Sequence, residues 1–302
     1  GTTGIRISSG GSGQCDPSGA GTVFTKSQKN RLTWRSLTDQ ERDQLIDTSV
    51  EETIHDYGNT ILESSARNQY MILRVKRILR RTVWALQQQL KAGKYEPSRF
   101  EISFSMEEDL KASNFQLSED ERLRLRGRID RVDRYEEDDT IYVKVIDYKS
   151  GNTALDLTSV YHGLQLQLIV YLNAALELEE KNHPGKHAEP AGMFYYHVKD
   201  PLVDGKPGDE EEEIERKLLE KLKVDGLVRA EEKILKDLDR ELEAGKKSLV
   251  IPAAYNKTAA FQVVPKRQAK NSSKNSVPMS TIRSVKMEHG SLAGRWRKIH
   301  IN

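Results

Sequence analysis

The sequence predicts an α/β fold in which helices flank a central mixed β-sheet of about four or five strands. Two runs rich in β-branched and aromatic residues, on either side of Glu136–Asp139, alternate as the strands of a hairpin do. Long segments with apolar residues at helical spacing, Ser64–Ala92 and Ser159–Glu179, precede and follow that hairpin. The strands need helices over their apolar faces. With 302 residues the chain has room for one large or two small domains.

The part of the chain before the hairpin is predicted to be irregular first and helical afterwards. Residues 1–31 are rich in Gly, Ser and Thr, show neither period, and are expected to be disordered. A helical region follows over residues 32–98. Its first helix starts at the capping box Thr38-Asp-Gln-Glu41, and its second, Ser64–Ala92, ends at Gly93.

The hairpin has an acidic tetrad, Glu136–Asp139, which we predict to be a four-residue loop. In that register Tyr135 faces Thr140 across the loop, and Asp130 falls opposite Val145.

Three charged side chains of the hairpin then share one face of the sheet. Asp147 and Lys149 join Asp130 there because side chains alternate with period two. Diagonal neighbours lie about 7–8 Å apart, so the two carboxylates could hold one Mg²⁺ or Mn²⁺ ion. The lysine could position or deprotonate a water that attacks a phosphodiester. The alternative is that these are solvated charges on the outer face of an edge hairpin.

Gln167 and Tyr171 stand four residues apart on the predicted helix Ser159–Glu179. Residues at this spacing lie on one face of a helix, so both could contact a DNA backbone or orient the lysine. Ordinary packing explains such a pair equally well.

The other segments have weaker patterns. The strand predictions are Phe100–Phe104, which carries Glu101, then Ala191–Lys199, and a last short strand within Ser248–Tyr255. Met106–Glu121 and Lys181–Pro190 are predicted loops, and Asp209–Gly245 a charged helical segment interrupted near Asp225-Gly226.

Composition excludes several classes of protein. Of the 302 residues 36% are apolar. The chain has one cysteine, Cys15, and a single cysteine excludes an internal disulfide and a metal site built from this chain's thiolates alone. No apolar run approaches the roughly 20 residues that cross a bilayer and no signal peptide is visible, so we expect a cytoplasmic protein without a membrane partner. The absence of a Gly-x-x-x-x-Gly-Lys-Ser/Thr loop indicates that this chain does not bind ATP in that way.

Charge is distributed unevenly along the chain. The tail, residues 261–302, is predicted to be basic and disordered. From Pro265 onward it has nine Lys or Arg residues and one acidic residue. Residues 1–264 therefore have 39 basic and 45 acidic groups. DNA affinity of the body therefore has to come from local patches. The candidate patch on the second helix consists of Arg74, Lys76, Arg77, Arg80 and Arg81.

Together these segments resemble the RecB-type nuclease domain of the PD-(D/E)XK superfamily, and in particular the C-terminal nuclease domain of the AddB family. The resemblance spans about Leu32 to Tyr255. The sequences that carry it are Gly127-Arg-Ile-Asp130-Arg-Val-Asp, Ile146-Asp147-Tyr-Lys149-Ser-Gly151 and Gly163-Leu-Gln-Leu-Gln167-Leu-Ile-Val-Tyr171.

The resemblance implies a restriction-endonuclease-like core, over residues 99–260, that hydrolyses DNA as a Mg²⁺- or Mn²⁺-dependent exonuclease. It implies an AddA-type helicase–nuclease partner and a role in double-strand-break repair and recombination. The catalytic residues implied are Asp130, Asp147, Lys149, Gln167 and Tyr171. Asp130, Asp147 and Glu101 are the implied metal ligands.

The sequence departs from the AddB pattern at both ends. Thr25 occupies the position of a metal-binding histidine, and three cysteines of the family's iron–sulfur cluster are absent. A hydroxyl is a far poorer ligand than an imidazole. The alternative function is therefore a catalytically impaired fragment that binds DNA or acts as a scaffold. We also expect the flanks to be non-native sequence, from a slipped reading frame, and the nuclease body to fold poorly or to bind metal weakly.

Overall fold

The computed structural model describes residues 34–56, 65–105, 126–162, 164–205, 208, 210–243 and 246–255, together with short strand segments at 115–116, 122–123, 261–263, 285–286 and 300–301. Thr25 and Cys15 lie outside the described residues, as does the predicted irregular segment 1–31. In the described part of the chain no helix combines the length and apolarity needed to cross a membrane.

Two helices precede the sheet, α1 (Asp39–Asp56) and α2 (Ala66–Ala92). The capping box is confirmed, because the Thr38 N–H donates to Glu41 Oε2 at 2.9 Å and the Glu41 N–H donates to Thr38 Oγ1 at 3.3 Å. The Ser65 side chain caps α2 by accepting from the Asn68 N–H.

The central sheet has five strands in sequential order and confirms the predicted mixed α/β architecture. The strands are β1 (Glu96–Ser105), β2 (Arg126–Glu137), β3 (Thr140–Lys149), β4 (His187–His197) and β5 (Asp225–Val228). Only β3 and β4 pair in parallel; the other three pairs are antiparallel. The parallel pair requires a crossover, which contains α3 (Leu157–Tyr161) and α4 (Gln167–Asn182).

Helices cover both faces of the sheet. On one face Ile146, Tyr148 and Phe194 pack with buried residues of α1, α2, α5 (Glu211–Leu222) and α6 (Glu232–Leu238). On the other face Val143 and Val145 pack against α4. The helical region and the sheet therefore share a hydrophobic core, as the apolar patterns predicted.

The predicted hairpin loop is wrong by two residues. Glu137 pairs with Thr140, so the loop is only Asp138-Asp139, and Val132 rather than Asp130 lies opposite Val145. Asp138 has φ +52°, in the left-handed region that Asp tolerates better than most side chains, which permits the tighter turn. A shift of two residues keeps every side chain on its predicted face.

Two predicted boundaries are also wrong. The predicted helix Ser159–Glu179 is two helices, because α3 ends at Tyr161 and α4 begins at Gln167. Strand β4 begins at His187, inside the predicted loop Lys181–Pro190. The predicted interruption of the charged helical segment near Asp225-Gly226 is confirmed, and strand β5 begins there.

Short paired segments complete the description. Ala253–Tyr255 forms the predicted last strand and pairs with Phe261–Val263. Phe115–Gln116, in a predicted loop, pairs with Arg122–Leu123. Val285–Lys286 pairs with His300–Ile301, so the predicted disordered tail contains strand segments at these positions.

Candidate active site

The candidate site lies at the carboxyl end of β3, on the face that α4 covers. Asp147 and Lys149 alternate along this strand and point to the same face. The Asp147 side chain is 5% exposed, and its Oδ2 lies 2.5 Å from Lys149 Nζ. The strand thus places an ammonium group in direct contact with a buried carboxylate.

Asp130 lies on the neighbouring strand beside this pair. Arg131 pairs with Ile146, so extending the register by one residue sets Asp130 opposite Asp147. Asp130 Oδ2 accepts a hydrogen bond from the Tyr148 N–H at 2.8 Å. The two carboxylates are therefore direct cross-strand neighbours instead of the diagonal neighbours that the sequence predicted.

Gln167 and Tyr171 project from the first turns of α4 toward the same residues. Gln167 Oε1 accepts from Lys149 Nζ at 3.1 Å, and Gln167 Nε2 lies 3.3 Å from Asp147 Oδ1. The same amide nitrogen lies 2.9 Å from the Tyr171 hydroxyl oxygen. The structure brings four of the five predicted catalytic side chains into one hydrogen-bonded chain, with Asp130 beside it.

Both carboxylates resist ionisation here. Burial and then the negative charge of Asp147 raise the pKa of Asp130 to about 6, although Arg128 and Lys149 act in the opposite direction. Burial also raises the pKa of Asp147, and Lys149 offsets part of this effect. Two adjacent carboxylates with raised pKa values form a place where a cation is favoured.

Glu101 occupies an unusual backbone conformation on β1. Its φ is +50°, and it lies between two paired positions, Phe100 opposite Arg131 and Ile102 opposite Ile129. By register Glu101 is therefore the β1 neighbour of Asp130. Among the described residues, however, no three His, Cys, Asp or Glu side chains converge as a ready-made metal cage. The role of Glu101 as a ligand stays a prediction.

Tyr195 contributes to the site in a way that the sequence did not predict. It pairs with Asp147 in the sheet, and Lys149 Nζ lies 5.2 Å from the centre of its ring. Tyr195 and Tyr196 are both buried, so they pack within the fold. The signal for this contact is the parallel pairing of β3 with β4, which sets Tyr195 beside Asp147 and within reach of Lys149.

The predicted basic patch on α2 is only partly available to a ligand. Lys76 Nζ lies 2.9 Å from Glu51 Oε1, and Arg80 Nη2 lies 2.7 Å from Asp47 Oδ2. Pairing with α1 therefore compensates two of its five cations.

The donor set fits a hard divalent cation. Asp130 and Asp147 offer neighbouring carboxylate oxygens, and Mg²⁺ or Mn²⁺ prefers few such ligands with the remaining positions taken by water or phosphate. Lys149 lies beside the two carboxylates, and its ammonium group is not a ligand for the ion. The geometry can therefore bind a metal ion and a phosphodiester side by side.

Comparisons with known proteins agree with this geometry. The model of the PD-(D/E)XK nuclease superfamily matches residues 22–261. This match begins before Leu32, the start that the sequence motifs suggested, and it includes the Thr25 position.

Relatives that are named as a subunit of an ATP-dependent helicase/deoxyribonuclease include proteins of two bacteria. The protein of Lachnoclostridium phytofermentans is 44% identical over 246 residues, and that of Alkaliphilus metalliredigens is 40% identical over 237. These alignments cover 79% and 78% of this chain but only 20% of each relative. The chain thus spans about a fifth of the length of the relatives that it matches.

The family match covers most of the chain, and the mixed sheet carries the two aspartates and the lysine of the motif at adjoining positions. The chain belongs to the PD-(D/E)XK nuclease superfamily.

Proposed function

We propose that this chain is a metal-dependent DNA nuclease module of the exonuclease type. The observation that carries the proposal is the contact of Asp147 with Lys149 at 2.5 Å, with the coupled carboxylate of Asp130 on the next strand. Phosphodiester hydrolysis requires a charge-stabilising site of this kind, in which carboxylates hold a cation and a lysine faces the reacting phosphate.

Each residue has a distinct role in this proposal. Asp130 and Asp147 hold the metal ion, with Glu101 as a further ligand from β1. Lys149 orients the attacking water and offsets negative charge that develops on the phosphate. Gln167 fixes the ammonium group through its 3.1 Å hydrogen bond, and Tyr171 fixes the amide in turn. A bound Mg²⁺ or Mn²⁺ would polarise the phosphodiester and lower the pKa of the water.

The wider role rests on the relatives' name. A helicase/deoxyribonuclease couples cutting to a motor, so we propose that this module acts on DNA beside an AddA-type partner protein. The process would be recombination and double-strand-break repair in the bacterial cytoplasm. ATP would be bound outside this chain, whose sequence has no phosphate-binding loop of the Gly-x-x-x-x-Gly-Lys-Ser/Thr type.

A second candidate function is a DNA-binding or scaffold module that does not cut. Thr25 at the histidine position of the family favours this candidate, because a hydroxyl binds a divalent ion weakly. The absent cysteines favour it too. An iron–sulfur cluster is expected in the AddB family, but this chain has a single cysteine to offer.

The deciding experiment is cleavage of labelled DNA with Mg²⁺ or Mn²⁺, comparing the unmodified chain with Asp147→Ala and Lys149→Ala. Loss of transition-state stabilisation should lower the rate by about 100-fold or more in both variants. Lys186→Ala is the matched control, because this partly exposed lysine pairs with Glu136 at the far end of the hairpin. Circular dichroism should show an unchanged fold in all three.

The outcomes separate the two candidates. Metal-dependent cutting that disappears with either substitution supports the nuclease. Binding without cutting by the unmodified chain supports the scaffold. Equal cutting by the Lys149→Ala variant would contradict the role assigned to the lysine.

A further inference from the structure

Helix α2 is a strongly cationic element. Its 27 residues include seven Lys or Arg and no Asp or Glu. Large apolar side chains are nevertheless exposed on it: Tyr70 is 62% and Leu73 is 66% exposed. Charge of one sign beside an exposed aromatic ring is a common composition of nucleic-acid-binding surfaces.

Four exposed residues form a line along this helix. Arg67, Tyr70, Arg74 and Arg77 follow one another at spacings of three or four residues, so they lie on one face. We call this line the Arg–Tyr stripe. At a rise of about 1.5 Å per residue it is about 15 Å long.

The stripe differs from the neighbouring cations in its pairing. Lys76 and Arg80 face α1 and pair with its carboxylates. The described part of the chain offers Arg67 and Arg74 no carboxylate within ion-pair distance. Arg77 does pair with Asp200, yet its side chain is still 66% exposed. The positive charge of the stripe is therefore directed to solvent.

The stripe lies at the end of the sheet that carries the candidate site. Arg77 Nε is 2.6 Å from Asp200 Oδ2, three residues beyond the end of β4. Close by in the chain, the Val198 N–H donates to the Lys149 carbonyl at 2.9 Å. The other end of α2 lies near α6, where the Lys94 N–H donates to the Asp237 carbonyl. Arg77 therefore lies at the same end of the sheet as Lys149, although α2 covers the face opposite the candidate site. A strand of DNA on the stripe would pass round this end of the sheet to reach Lys149.

We propose that the Arg–Tyr stripe binds the single strand of DNA that enters the candidate site. This inference rests on the proposed nuclease function. Guanidinium groups of Arg67 and Arg74 match phosphate oxygens, and the Tyr70 ring can stack on a base. The faces of bases are accessible in a single strand and hidden in a duplex, so an exposed tyrosine between arginines suits unpaired DNA.

Fluorescence anisotropy of a labelled oligothymidylate tests the stripe in EDTA, where no cleavage occurs. The variants are Arg67→Ala with Arg74→Ala, and Tyr70→Ala alone. The matched control is Lys236→Ala with Lys246→Ala, two exposed cations whose partners are Glu232 and Glu243. Thermal unfolding should show all variants folded, since exposed side chains are replaced.

The double arginine variant should weaken binding by about tenfold and reduce the slope of log affinity against log salt by about 1.4, at roughly 0.7 per lost phosphate contact. Tyr70→Ala should weaken single-strand binding by about fivefold or more with the slope unchanged, and should leave duplex binding unaltered. The control should match the unmodified chain.

Two results would overturn the inference: no measurable binding by the unmodified chain, or stripe variants that bind like the control. The second result is expected if a protein partner occupies the stripe instead. Cleavage assays of the same proteins separate the two proposals. Binding that depends on the stripe without metal-dependent cutting would defeat only the nuclease function, whereas cutting with stripe-independent binding would defeat only the stripe.

Discussion

The folded structure disfavours the charged form of Asp130. Burial and the neighbouring Asp147 raise its pKa from 3.8 to about 6. The folded chain therefore binds a proton more tightly than the unfolded chain. The contribution of Asp130 to stability consequently falls as pH rises from about 4 through about 6, and at pH 8 it is a penalty.

Asp130→Asn should therefore stabilise the metal-free protein at pH 8 by about 1–3 kcal/mol. The upper value corresponds to the full pKa shift of Asp130, and the lower value allows for its partial exposure to solvent. The amide oxygen can still accept from the Tyr148 N–H. At pH 4 the gain should disappear, because the folded state already holds the proton. Urea unfolding in EDTA at both pH values measures the difference, and equal stability of the two proteins at pH 8 would contradict the assigned coupling.

At the scale of single elements, β2 and β3 hold a buried ionic group on the face opposite the site. Asp133 Oδ1 lies 2.6 Å from Arg131 Nε, and Asp133 Oδ2 lies 3.3 Å from Lys144 Nζ. Burial alone would raise the pKa of Asp133, but the two cations outweigh it and keep that pKa below its usual value. This ionic group therefore links β2 and β3 on the face of the sheet opposite the candidate site.

Asp133→Ala should destabilise the fold by about 3–5 kcal/mol, because two buried cations lose their common partner. Asp139→Ala is the control on the same hairpin: this exposed turn residue should change stability by less than about 0.5 kcal/mol. Chemical unfolding gives both values. A loss below about 1 kcal/mol for Asp133→Ala would show that the cations find other partners.

Strand β5 depends on a glycine. Gly226 has φ +156°, and a Cβ there would lie 2.2 Å from the Met193 carbonyl oxygen. Gly226→Ala should therefore separate β5 from β4 and cost roughly 2 kcal/mol or more. Gly185 provides the comparison, since its φ of +91° is strained for alanine but no atom lies within 4 Å of the added Cβ. If Gly185→Ala costs as much by thermal unfolding, backbone strain rather than the clash dominates.

At the scale of the whole molecule, metal binding should raise stability. An ion that binds only the folded state, at a concentration 100 times its Kd, raises the free energy of unfolding by about 2.7 kcal/mol. Mn²⁺ should therefore raise the melting temperature of the unmodified chain and leave that of Asp147→Ala nearly unchanged. Differential scanning calorimetry with and without EDTA measures this. An equal rise in both proteins would indicate binding elsewhere.

The histidine position gives a second test of the metal site. Isothermal calorimetry with Mn²⁺ should show weak binding by the unmodified chain and tighter binding by Thr25→His, because imidazole is the better ligand. Tight binding without the histidine, or no gain from it, would contradict the prediction of weak metal binding.

The sequence alone determined the mixed α/β architecture and most residues of the candidate site, though not Tyr195 or strand β5. Period-two alternation assigns Asp147 and Lys149 to one face whatever the register, and an error of two residues in the hairpin leaves Asp130 on that face. The capping box at Thr38 and Glu41 was equally local. Such features depend on neighbours in the chain, so a pattern in the sequence contains them.

Only the tertiary structure decided the length of the hairpin turn and the contacts between distant segments. The turn at Asp138 depended on a left-handed backbone that Asp accepts but does not require. Strand β5 formed because Gly226 allows close approach to β4, although its charged flanks indicated helix. The pairing of Lys76 and Arg80 with α1 separated them from the exposed Arg–Tyr stripe, since ion pairs between helices follow from packing and not from the sequence of either helix.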